Sequence, residues 1–122
     1  MSARHLFYSA DGLVVKGLRG AVSYNTDLRV IEDTRVTYDT THDQNNVAII
    51  SGGGAGHEPA WGGYVGHNLL AAAASGDIFA SPSTKQVLSA IESVPSKKGH
   101  ILIVGNYTGM TIHARRPLRS PY

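Results

Sequence analysis

The chain has 122 residues, 42% of them apolar and 16% charged, which is the makeup of one modest globular domain able to bury roughly two thirds of its unfolded surface. Eleven basic residues against nine acidic ones leave a net charge of +2, too mixed for a phosphate-tracking face, so nucleic acid is not an expected partner. The lack of cysteine excludes disulfides, thiolate nucleophiles and cysteine-bound zinc, and it fits a reducing compartment.

The start, "MSARHLFYSADG", lacks the apolar stretch of about 7–15 residues that a signal peptide needs, and no apolar run reaches the length of a membrane span. A soluble, cytoplasmic protein without a membrane partner is expected. "GLVVKGLRGAVS" (12–23) places Leu13, Leu18 and Val22 near helical spacing, with Asp11 as a candidate N-cap and Asn25 as a candidate stop. "LRVI" (28–31) and "RVTYD" (35–39) are short β-prone runs, either suited to a sheet edge, and "TTHDQNN" (40–46) is turn-like.

"VAII" (47–50) is apolar at successive positions, as a central parallel strand is, and it leads into the glycine loop "SGGGAGHEP" (51–59). The stretch "GYVGHNLLAAAASG" (63–76) predicts a helix with Leu69, Leu70, Ala72 and Ala73 inward and Gly76 as its stop. "DIFA" (77–80) predicts a short strand. "SPSTKQVLSAIESV" (81–94) predicts a helix capped by Ser81 or Ser83, with Pro82 in its first turn and Val87, Leu88, Ile91 and Val94 on one face. "HILIV" (100–104) predicts a second buried strand, followed by the loop "GNYTGM" (105–110). From Thr111 the apolar period is lost and two prolines and three arginines appear, which predicts a disordered tail over 111–122. The helix that a βαβ rhythm calls for after the last strand is missing, so an incomplete or altered C-terminal part is expected.

Consecutive glycines after a strand let backbone N–H groups reach an anion or a carbonyl oxygen, although a tight structural turn uses the same residues. The spacing is neither that of a dinucleotide fingerprint nor that of a P-loop. His57 beside the glycines can exchange a proton near neutral pH, and it can equally be a plain surface histidine. Glu58 can orient that imidazole, but capping of the predicted helix is the plainer role. Trp61 and Tyr64 can wall a pocket or pack into the core. His57 and His67 have no recognised metal spacing, and no metal site is expected. Asn106, Tyr107 and Thr108 offer hydrogen-bonding groups at the end of the last strand, where ligands collect in open α/β sheets. Ser81 and Ser83 lack a nucleophile-elbow context and read as caps. Lys97, Lys98, Arg115, Arg116 and Arg119 read as solvated surface.

Together, "ISGGGAGHEPAW", "GDIFASPSTKQV" and "NYTG", in this order and at this spacing, resemble the substrate-binding (DhaK) domain of the dihydroxyacetone (glycerone) kinases. "DGLVVKGLRG" and "VTYDTTHD" resemble the N-terminal part of the fungal-type single-chain enzymes. The resemblance runs from about residue 5 to Gly109. It implies an α/β fold, a mixed sheet flanked by helices and here incomplete, with residues 1–110 as the N-terminal portion of the DhaK domain. The implied activity is ATP-dependent phosphorylation of dihydroxyacetone, and of glyceraldehyde, in glycerol and triose metabolism.

In that family a histidine much later in the chain holds the ketone, and ATP with Mg2+ is bound by a separate domain, which these residues do not include. Carried over, Gly54, Ala55, Gly56 and His57 line the triose, His57 is the catalytic base, and Asn106, Tyr107, Thr108 and Gly109 form a second substrate loop. Ala55 stands where relatives have serine, and Met110 stands where the family has an aspartate on the substrate hydroxyl. A methionine cannot accept that hydrogen bond. No cofactor is expected on this chain itself, a small triose is the expected ligand, and a homodimer is the expected assembly. A non-catalytic fragment or triose-binding interaction module is the alternative.

Overall fold

The computed structural model describes residues 9–105. The predicted second substrate loop, Met110 and the tail lie outside the described residues. In chain order the elements are helix α1 (Leu13–Val22), strands β1 (Leu28–Ile31), β2 (Val36–Asp39) and β3 (Ala48–Ala55), a 3-10 turn (Gly62–Tyr64), β4 (Ala72–Ile78), helix α2 (Thr84–Ser93) and β5 (His100–Ile103). The sheet order is β1-β2-β4-β3-β5. β1, β2 and β4 pair antiparallel, whereas β3 runs parallel to both β4 and β5. A mixed sheet with helices packed on it is the architecture the sequence predicts.

α1 forms at the predicted place, but its N-cap is Gly12 at φ 66°, with no side-chain cap bond, rather than Asp11. The backbone N–H of Asp11 instead donates to Ser9 Oγ at 3.0 Å. At α2 the S-x-x-Q pattern closes a full capping box: Ser83 accepts from the Gln86 N–H and Gln86 Oε1 accepts from the Ser83 N–H at 2.8 Å. Such a cap is worth about 1 kcal/mol. Pro82 precedes the cap and is fully buried, so it lies outside the first helical turn predicted for it. Gln86 Nε2 reaches the Ser75 carbonyl at 2.7 Å, bolting α2 to β4, while Leu88 is left exposed.

The helix predicted over 63–76 is absent, and its alanines Ala72, Ala73 and Ala74 form the first half of β4. Ala72, Ala73 and Ala74 are at most 2% exposed, and they pair with β2 on one side and β3 on the other. Alanine has the highest helix propensity, but tertiary contact overrides it here. Both faces of β4 are covered at close range, by Ala90 and Val94 on one face and by Val65 and Trp61 on the other, so small side chains are what fits. β4 also begins before the short strand predicted at 77–80 and ends at Ile78.

The glycine segment is likewise strand rather than loop, since β3 continues to Ala55 with an irregularity between Gly53 and Ala55. A Cβ on Gly53 would overlap the Trp61 indole, which lies directly against the strand. Neither β3 nor β5 is buried on both faces as predicted. Val47, just before β3, and Ile49 on it are about two-fifths exposed, and Ile101 and Ile103 on the edge strand β5 are half exposed.

Beside the carboxyl end of β4, Arg35, at φ 53° in the β1–β2 turn, forms a two-pronged ion pair with Asp77. Hydrogen bonding from the Arg35 guanidinium, then its charge, holds the Asp77 carboxyl below the usual carboxylate range. A folded-state value below the unfolded one makes this contribution full above the unfolded carboxylate pKa and lost as pH falls through the folded value. Asp77→Asn is therefore expected to reduce the loss of stability on acidification, by a small amount that added salt suppresses, because the pair is exposed. Chemical denaturation at stepped pH with and without salt measures it. Arg19 and Glu32, also exposed, form a second pair in which the Arg19 hydrogen bond lowers the Glu32 carboxyl.

Candidate functional site

Three parallel strands, β4, β3 and β5, end side by side at Ile78, Ala55 and Ile103, with β3 between the other two. The crevice beyond the carboxyl ends of such strands is where open α/β sheets hold ligands. Here it is a cleft of about 370 Å³, lined by Gly52, Gly53, Gly54, His57, Trp61, Phe79, Ala80, Ser81 and Gly105. Its walls are mostly backbone and small side chains, and the imidazole of His57 is their one titratable group.

The strand continuation described above explains how these groups meet. Phe79 N–H donates to the Ala55 carbonyl at 2.8 Å, so the segments leaving β3 and β4 are tied where each strand ends. Gly56 turns the chain at φ 97°, and a Cβ there would lie 3.0 Å from Phe79 Cζ. The Glu58 carboxylate accepts the Gly56 N–H at 2.9 and 3.0 Å. Neither role anticipated for Glu58 holds: the helix it was to cap does not form, and its recorded partner is the Gly56 amide rather than the imidazole. His57 meets Phe79 edge-to-face, with ring centroids 5.2 Å apart and planes at 80°.

Of the four residues expected to line the triose, Gly54 and His57 line this cleft. Ala55 and Gly56 line a separate groove of about 700 Å³ between α1 and the segment that follows β3, whose wall includes Leu13, Leu18, Pro59 and Ile78 but not His57. The smaller cleft is the better site because it sets the imidazole beside the backbone of Gly52, Gly53 and Gly54. Trp61 serves both anticipated roles, lining the cleft and packing on Leu28, Val65 and Ala73, with its Nε1 buried and without a hydrogen-bond partner. Tyr64 and His67 are exposed. Sequence reasoning missed Phe79 and the cleft-lining role of Ser81; the block "GDIFASPSTKQV" carried both but was read only as a strand and a cap. Among the described residues no group of three or more His, Cys, Asp or Glu stands close enough to hold a metal ion, and no helix is long and apolar enough to cross a membrane.

The Dak1 domain family matches residues 19–116. The dihydroxyacetone kinase of Komagataella pastoris is 48% identical over 114 residues, covering 93% of this chain and 19% of its own length. The DhaKLM operon coactivator DhaQ of Lactococcus lactis is 44% identical over 102 residues, covering 83% of this chain and 31% of its own. In three dimensions the chain is similar to the crystal structure of the C. freundii dihydroxyacetone kinase in complex with AMP-PNP and Mg2+, with a TM-score of 0.83 and 39% identity over 93% of this chain and 22% of that one. The chain spans about a fifth of the length of the kinases it matches. A family match over most of the sequence, with the same fold at this identity, establishes that the chain belongs to the Dak1 domain family.

Proposed function

We propose that this chain carries part of the triose site of a dihydroxyacetone kinase, with the cleft beyond β3 and β4 holding dihydroxyacetone and His57 as general base. The observation that carries the reading is the single imidazole beside a backbone-lined cleft at the strand ends. A cleft of about 370 Å³ accommodates a three-carbon sugar, for which backbone N–H and C=O groups are the natural partners of its hydroxyls and carbonyl. In this reading His57 accepts the proton of the hydroxyl that becomes phosphorylated. Phosphoryl transfer depends on such positioning more than on covalent chemistry.

The phosphoryl donor of this reading is ATP with Mg2+, as the nucleotide analogue in the C. freundii structure supports. The described residues do not fit that group, since they offer no acidic cluster for the ion. We therefore assign nucleotide binding to protein beyond these residues, and the first substrate loop to residues 54–57. Residues 106–109 are proposed as the second loop, residues 1–110 as the DhaK portion and 111–122 as a divergent tail. A role in glycerol and triose metabolism in the cytoplasm and a homodimeric assembly complete the proposal; the absence of cysteine is in keeping with that compartment.

A second reading, a non-catalytic triose-binding or interaction module, is favoured by the comparable identity to an operon coactivator and by Met110 in place of a hydrogen-bonding residue. Mapping dihydroxyacetone onto the backbone amides of the chain tests the triose site common to both. Shifts at residues 52–57 and 79–81 are expected, and none there would refute it.

A further inference from the structure

Phe79 is the first residue past β4, and it sits at φ 54°, a left-handed conformation that an aromatic residue adopts only when its surroundings enforce it. Burial does not enforce it, because the residue is 67% exposed. The backbone does: Phe79 N–H is held by the Ala55 carbonyl at 2.8 Å, and Ala80 N–H closes the turn on the Asp77 carbonyl at 3.0 Å. The turn folds the Phe79 ring back over Gly56, where glycine alone leaves room, and sets the ring edge-to-face with His57. Glu58 fixes the Ala55–Gly56 peptide, one before the peptide that leads into His57, by accepting the Gly56 N–H, and its carboxylate is recorded on that amide rather than on the imidazole.

We propose that Phe79 is a positioning residue whose ring, presented by a left-handed turn, holds the His57 imidazole in the rotamer that lines the cleft. The proposal rests on the reading of His57 as the base. It deepens that reading by naming what orients the imidazole. An edge-to-face pair favours the paired rotamer by about 2- to 10-fold over the unpaired ones.

The test is NMR of the full 122-residue chain and of three variants, reading the His57 ring-proton shifts and χ1 populations. Phe79→Asn accepts the left-handed backbone and removes the ring, Phe79→Leu keeps apolar bulk without the ring, and Phe79→Tyr keeps the ring. The parent and Phe79→Tyr are expected to show a ring-current shift on His57 and one dominant rotamer. Phe79→Asn is expected to lose both, with the ratio of the favoured rotamer to the others falling about 2- to 10-fold while amide shifts away from the turn stay in place. Phe79→Leu should follow it if folded, and Phe79→Asn alone decides the matter if it is not. An unchanged His57 rotamer in Phe79→Asn, or equal averaging in Phe79→Tyr, overturns the proposal. Dihydroxyacetone added to the parent chain is a separate arm: if no amide of residues 52–57 moves, the triose reading fails, whereas the Phe79 proposal is judged on the ligand-free His57 signals alone.

Discussion

Replacing His57 with alanine is expected to lower kcat about 10²- to 10⁴-fold and to leave KM for dihydroxyacetone nearly unchanged, in a dihydroxyacetone kinase whose matched segment is exchanged for residues 19–105 of this chain. The size follows from the role. A general base acts only as the hydroxyl loses its proton, so its removal raises the barrier without touching ground-state binding, which the reading assigns to the backbone of the cleft. His57 is exposed, and its recorded contact is the Phe79 ring, so its truncation leaves no cavity in the core and the fold is expected to persist. Steady-state kinetics of the exchanged enzyme with ATP and Mg2+ give the answer. A KM increase at constant kcat would make His57 a binding residue instead.

Gly76→Ala is expected to be the most destabilising small substitution in the molecule. Gly76 is buried within β4, and a Cβ on it would run into the Ala80 carbonyl oxygen and lie 2.8 Å from both Pro82 N and Ser81 C. All three obstacles are main-chain atoms of the segment that forms one cleft wall and leads into the α2 capping box, so relief requires moving backbone rather than turning a side chain. Overpacking of this kind costs about 1–3 kcal/mol, a sizeable share of the roughly 5–15 kcal/mol that keeps a typical domain folded. Urea unfolding should show the midpoint falling with the slope unchanged. Gly17→Ala on the exposed side of α1, where nothing lies within 4 Å of the new methyl, is the opposite case and should stabilise by up to about 1 kcal/mol. Equal effects of the two substitutions would mean that the turn after β4 is not as tightly set as described.

These contrasts mark where the sequence was legible. The α2 cap was readable to within Ser81 or Ser83, and the local S-x-x-Q pattern, satisfied within one helical turn, is what selects Ser83. The β1 and β2 strands were readable from short β-branched runs. The alanine run was not, because its conformation is decided by β2 and β3 on either side and by layers above and below, none of which is near it in sequence. For the same reason the glycines read as loop. Strand pairing with β4 and the indole of Trp61 explain why a strand is built of glycine there. His57 was legible from its motif and Phe79 was not, since their contact exists only once β3 and β4 pair and end together. The open faces of β3 and β5 were hidden by an apolar pattern that does not say which faces are covered.

The central claim is that the cleft beyond the ends of β3 and β4 binds a triose. Titration of the isotope-labelled chain with dihydroxyacetone, followed by amide NMR, tests it most directly. The account predicts saturable, millimolar-range shifts confined to residues 52–57 and 79–81. Shifts centred instead on Leu13, Leu18 and Gly62 in the larger groove, or no saturable shift, would contradict it.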